Sequence, residues 1–209
     1  VWLVSALVSL AVVAACTPGQ GAGGGGTTVS PVVAGGLPVG DKTWPMPAPG
    51  TCKLGSENGQ PLPDRACTPG ATNPAVTPDT IRDTICKAGW TTTVRPSSSV
   101  TSRMKIASAK SYSLPTGEKS EYDHLVSLEL GGAPDDPRNL WVEPGEIPNP
   151  KDAVENALNR AVCSGLISLV TAQNAIAVDW VTAFDAAGLR VAGGKVCLRA
   201  NPAQCAAGR

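Results

Sequence analysis

Six cysteines constrain this chain more than any other feature: Cys52, Cys67, Cys86, Cys163, Cys197 and Cys205. They follow Cys16, and no two stand at C-x-x-C spacing. An even set of this kind reads as up to three disulfides in an exported domain, not as a zinc ribbon or a thioredoxin-like redox site. Parity leaves fifteen connectivities open. The expected set has Cys52–Cys67 and Cys197–Cys205 as local loops, with Cys86–Cys163 tying an early helix to a late one. The single histidine, His124, excludes a multi-histidine zinc site.

The first fifteen residues, VWLVSALVSLAVVAA, are apolar apart from Ser5 and Ser9. At 1.5 Å per residue a helix of this length reaches about 22 Å, short of the roughly 30 Å hydrocarbon core, so residues 1–15 read as a signal peptide. Val13-Ala14-Ala15-Cys16 resembles the bacterial lipobox, which implies lipidation of Cys16 and a membrane anchor on the outer side of the cell membrane. Without lipidation the chain would be secreted. Glycine (23) and proline (19) make up about a fifth of the residues, concentrated near the start. With four consecutive glycines among Thr, Ser and Pro, residues 16–51 are expected to be a tether that cannot bury enough surface to fold. Trp44, the large side chain in the latter part of it, is expected to make a local contact with the domain edge.

The folded domain is expected over 52–209, with its core about 67–187. Thr77-Pro78-Asp79 reads as a helix start, giving a helix over 78–88 that stops at Gly89. Ser97–Ser99 caps a second helix over 99–111, ahead of Pro115. Residues 121–130, EYDHLVSLEL, read as a strand, and Leu140-Trp141-Val142 as a short second one. Asn149-Pro150-Lys151-Asp152 starts a helix over 151–164, with Val154, Leu158, Ala161 and Val162 as its apolar stripe. Ser168 caps a helix over 169–187, in which Ile176, Trp180 and Phe184 recur at helical period. The class is α+β: a small two-stranded hairpin plus helix, packed with three further helices and stapled by disulfides. The tail beyond 188 reads as a stapled extension.

Lys+Arg and Asp+Glu both number 17, so the net charge is zero and no uniformly basic binder is expected. The balance conceals two blocks. Arg82, Lys87, Arg95, Arg103, Lys105, Lys110 and Lys119 face only Asp83 and Glu118 in the first. From Glu121 to Glu155, nine acidic residues stand against Arg138 and Lys151. Basic and acidic surfaces side by side suit a metal-dependent nuclease, which holds phosphate and a divalent cation together. Two solvated faces that neutralise each other are the plainer reading of the same charges.

Asp123-His124, Gly131-Gly132 and Asn139-Leu140 at these intervals resemble the first two motifs of HNH endonucleases, over about 40 residues from Tyr122 to Arg160. The resemblance implies a ββα-metal-like frame, with His124 as general base and Asn139 bracing the loop that orients it. It implies Asp123 as a ligand of a divalent metal, Mg²⁺ or else Mn²⁺ or Ca²⁺. The third motif departs from the family, which expects His or Asn at the helix start. Asn149, Asp152 and Glu155 are available, with Asp152 and Glu155 as oxygen ligands. Lys151 and Arg138 would bind phosphate. CTPGATNPAVT, ICKAGWTTTVRP, DHLVSLELGGAPDDPRNLW and PNPKDAVENALNRAVCSG are also similar to a group of exported bacterial proteins of unassigned function. The expectation is a nuclease acting on DNA or RNA. The alternative is a non-catalytic surface lipoprotein module of degenerate HNH-like fold. A Ser-His-Asp hydrolase is disfavoured, since no serine sits in a G-x-S-x-G elbow.

Overall fold

Asn58 and Gly59, with φ of 49° and 76°, form a tight turn between strands β1 (Gly55–Glu57) and β2 (Gln60–Leu62). Two successive left-handed residues match the twist of an antiparallel pair, which is why Asn-Gly makes such hairpins. The computed structural model describes residues 36–115 and 117–206. The expected signal peptide and the lipidation site Cys16 lie outside them.

Over the described residues the chain is α+β, with three two-stranded antiparallel sheets, short helices and three disulfides. After β2 come α1 (Trp90–Val94) and α2 (Ser98–Ser111), then β3 (Ser120–His124) paired with β4 (Leu140–Pro144). Helices α3 (Lys151–Cys163), α4 (Leu169–Val178) and α5 (Ala183–Ala186) follow, and β5 (Leu189–Ala192) and β6 (Lys195–Leu198) close the chain. The cysteines pair as expected: Cys52–Cys67, Cys86–Cys163 and Cys197–Cys205. Such bonds belong to an oxidising compartment. No helix among the described residues is long and apolar enough to cross a membrane.

Four expectations change. The 78–88 segment is a succession of turns, because the Thr80 hydroxyl donates to Ala75 and Thr77 carbonyls and Thr84 to that of Thr80. Threonine hydroxyls that take carbonyls in this way compete with the helical ladder. The 121–130 strand ends at His124 and gives way to a short 3₁₀ turn over Leu128–Leu130. The 169–187 helix breaks at Asp179, whose side chain accepts from Val181 N at 2.8 Å while Trp180 Nε1 donates to Pro61 O at 2.9 Å. The N-cap Ser168 does accept from Thr171 N, at 3.0 Å.

The fourth change concerns the tether. From Pro38 onward the expected tether is bonded to the domain: Thr72 N donates to Pro38 O, Gly40 N to Thr72 O and Asp41 N to Asp136 Oδ2. Gly40 permits this approach, since a Cβ there would stand 2.6 Å from that of Ala133. The core gathers Leu125, Leu130, Trp141, Leu158, Ile176 and Trp180, and it extends past 187 to Leu189 and Val196 of the terminal hairpin.

Candidate functional site

Strand alternation sends the two residues of the Asp-His pair to opposite faces of β3. Asp123 turns toward the start of α3. The His124 ring turns to the loop before β4, where Nε2 lies 2.9 Å from the Pro134 carbonyl. A carbonyl only accepts, so Nε2 carries the proton and Nδ1 the lone pair. His124 is 7% exposed, and burial lowers its pKa to about 4 against the opposing pull of Pro134 and Asp123. The ring is therefore neutral at pH 7.

Asn139 fixes the loop that supplies Pro134. Its Nδ2 donates to Val126 O and Ala133 O, both at 2.9 Å, and its Oδ1 accepts from Val126 N at 2.9 Å. The loop backbone passes so close that a Cβ at Gly132 would fall 1.7 Å from Val126 O. At Gly131, φ is 75° and a Cβ would press on Val76. Each of the two glycines is thus demanded by a specific contact. This is the bracing expected of Asn139.

The acidic residues meet at Lys151, the first residue of α3. Its side chain is 0% exposed, and Nζ donates to the His124 carbonyl at 2.7 Å and to Glu155, and lies 2.7 Å from Asp123 Oδ2. The Asp123 contact is an ion pair without hydrogen-bond geometry, since Oδ2 accepts from no donor among the described residues. Burial opposes the charge, but Asp123 and Glu155 outweigh it and hold the Lys151 pKa above its ordinary value. Burial pushes the Glu155 carboxyl up, with Lys151 pulling against it.

Asp123 and Glu155 therefore do converge, on the chain's own cation. Asp152, half-buried in the first turn, makes no bond to that ammonium; burial and then Asp123 raise its carboxyl. Among the described residues no group of three or more His, Cys, Asp or Glu side chains is placed to hold a metal ion. The donor set does not fit the expected Mg²⁺, Mn²⁺ or Ca²⁺, because its two best oxygens are bound to Lys151. Lys151, fully buried among Asp123, Glu155 and the His124 carbonyl, does not reach a phosphate. Neither does Arg138, which is clamped by Asp136 (Nη2–Oδ2 2.6 Å), donates to Val39 O at 2.9 Å, and stacks 4.1 Å from the Trp44 ring centroid. Asn149 accepts from Lys151 N and donates to Glu121 Oε2 at 3.0 Å.

Two acidic residues complete the nest that the motif reading passed over. Glu121 stands directly opposite Glu143 in the β3–β4 register. Like charges facing across a ladder are unfavourable. Glu143 is 2% exposed and its Oε2 has no hydrogen-bond partner among the described residues. Burial, reinforced by Asp123, pushes its pKa up to about 8. Strand alternation already places Glu121 and Asp123 on one face, so the cluster could have been found by pairing the strands.

The shift has a measurable consequence. The folded state keeps the Glu143 proton to about pH 8, with the likewise raised Glu155 titrating beside it, whereas the unfolded chain releases the Glu143 proton near pH 4.3. The stability it contributes is full below the unfolded pKa and is lost as pH rises through the folded one. His124 acts oppositely, but only between about pH 4 and 6.5. The melting temperature should therefore fall from pH 6.5 to 8, and fall less in Glu143→Gln. An equal slope in both proteins would refute the assignment.

Set against known proteins, the chain matches no family model, no curated protein and no solved structure. Its function must be argued from the site.

Proposed function

We propose that this chain is an exported, disulfide-braced binding module with an HNH-like ββα frame, whose metal position is taken by its own lysine. The observation that carries the reading is the Lys151 ammonium, fully buried, hydrogen-bonded to Glu155 and the His124 carbonyl and ion-paired with Asp123. A nuclease must offer its cation to phosphate; this one is spent inside the protein. The frame is supported by the β3–β4 pairing and by Asn139 bracing the intervening loop. Export is supported by three disulfides and by the signal-like residues 1–15. Lipidation at Cys16 would hold the module on the outer face of the membrane.

One observation bears on the hydrolytic reading, namely the neutral His124 ring oriented by Pro134 O with Nδ1 free to accept a proton, although a pKa lowered to about 4 makes it a weak base at neutral pH. A single assay separates the two. The full chain is incubated with plasmid DNA and single-stranded RNA in Mg²⁺, Mn²⁺ or EDTA, and metal binding is measured by calorimetry. The module reading expects no cleavage and no metal binding. Cleavage that requires a metal and disappears in His124→Ala would replace it with the nuclease.

A further inference from the structure

A groove of about 380 Å³ lies between the 42–46 segment and α2, lined in part by the Trp44 ring that stacks on Arg138. Its floor is apolar: Met46, Val100, Met104 and Pro137. Trp44 forms one wall, and it is fixed in place, because Arg138 beneath it is locked by Asp136 and the Val39 carbonyl. A rigid aromatic beside methionines is the composition of an adaptable recognition site, since the aromatic is already ordered and thioethers mould to their ligand. Lys42 and Arg103, both exposed, stand at the rim and have no ion-pair partner among the described residues.

We propose that this groove docks an acidic peptide segment of a partner protein, with one apolar side chain on the floor and carboxylates beside Lys42 and Arg103. Charge complementarity selects this occupant. The chain's own residues 1–35 contain no Asp or Glu and cannot neutralise the rim. A nucleic-acid strand needs a row of cations along its backbone, whereas this rim carries two cations and Asp135. The groove lies apart from the Lys151 nest, with which it shares no lining residue, so its test does not depend on the catalytic question.

The test is selection of a displayed library of random seven-residue peptides on the full chain and on Lys42→Glu/Arg103→Glu. Both changes are at exposed positions, so folding is preserved and is checked by melting temperature. Wild type should enrich Asp and Glu beside an apolar residue at least threefold over the unselected library. The double variant should lose that enrichment or turn to basic peptides. Met104→Asp, which charges the floor and leaves the rim intact, should abolish selection of the apolar residue. No acidic enrichment, the same enrichment by the double variant, or displacement of the selected peptides by oligothymidine would overturn the proposal. So would self-association of the chain through this face, read as a dimer that Met104→Asp dissolves.

Discussion

Lys151→Ala is expected to lower the unfolding free energy by about 3–5 kcal/mol in urea titrations, because Asp123 and Glu155 would then be buried without their cation. Removing Lys151 together with both of its carboxylate partners should cost much less. In Asp123→Leu/Lys151→Met/Glu155→Leu neither partner is left buried without its cation, and apolar side chains of similar volume replace the ion pairs. Buried ion networks replaced in this way are often neutral or stabilised. The triple variant should therefore regain most of what Lys151→Ala loses. A loss under about 1 kcal/mol for Lys151→Ala would mean that the carboxylates are solvated, outside the range for a broken buried pair. The charge nest would then be an open site, and the argument against metal binding would fall with it.

The parts of this fold that could be read from sequence were those in which local chemistry and tertiary packing agree. Ser168 predicts its own helix start because its hydroxyl needs only Thr171 N, three residues away. Cys197–Cys205 closes a loop too short to leave many other choices. The Asn58-Gly59 hairpin was equally legible, since Asn-Gly is the dipeptide that two successive left-handed positions favour. The break at Asp179 was not legible, since it depends on a bond from Trp180 to Pro61, 119 residues earlier. The 78–88 segment carries helix-start residues, yet three threonine hydroxyl bonds to its own and neighbouring carbonyls win locally.

The site divides along the same line. Asn139 was legible because its partners sit in one short loop. Lys151 was misread because sequence spacing gives the residues of a charge cluster without saying which of them faces inward. Placed at the first position of α3, its stem spans to the end of β3 and buries the ammonium. Trp44 and Arg138 show the same limit: 94 residues apart, they stack only because the 38–41 segment is bonded to Thr72 and Asp136.

The second large effect concerns the disulfides. Cys86–Cys163 joins the turns after Pro78 to the end of α3 and encloses the β3–β4 hairpin in a loop of 77 residues. By the chain-entropy model a bridge of that span stabilises by about 4.5 kcal/mol, against about 2.5 kcal/mol for the 8-residue Cys197–Cys205 loop. The site depends on the longer one. Asn159 of α3 donates to Ile85 O and to Glu129 O, so the same helix face that carries Cys163 also carries the loop after β3. The terminal hairpin has independent support from the β5–β6 ladder and from buried Leu189 and Val196. Cys86→Ala/Cys163→Ala should therefore melt below Cys197→Ala/Cys205→Ala by about 4–8 °C, the shift that 2 kcal/mol produces in a domain of this size. Replacing cysteines in pairs leaves no free thiol to cause aggregation. Equal melting temperatures, or peptide mapping that joins Cys163 to any residue but Cys86, would show that the domain is not held together in this way.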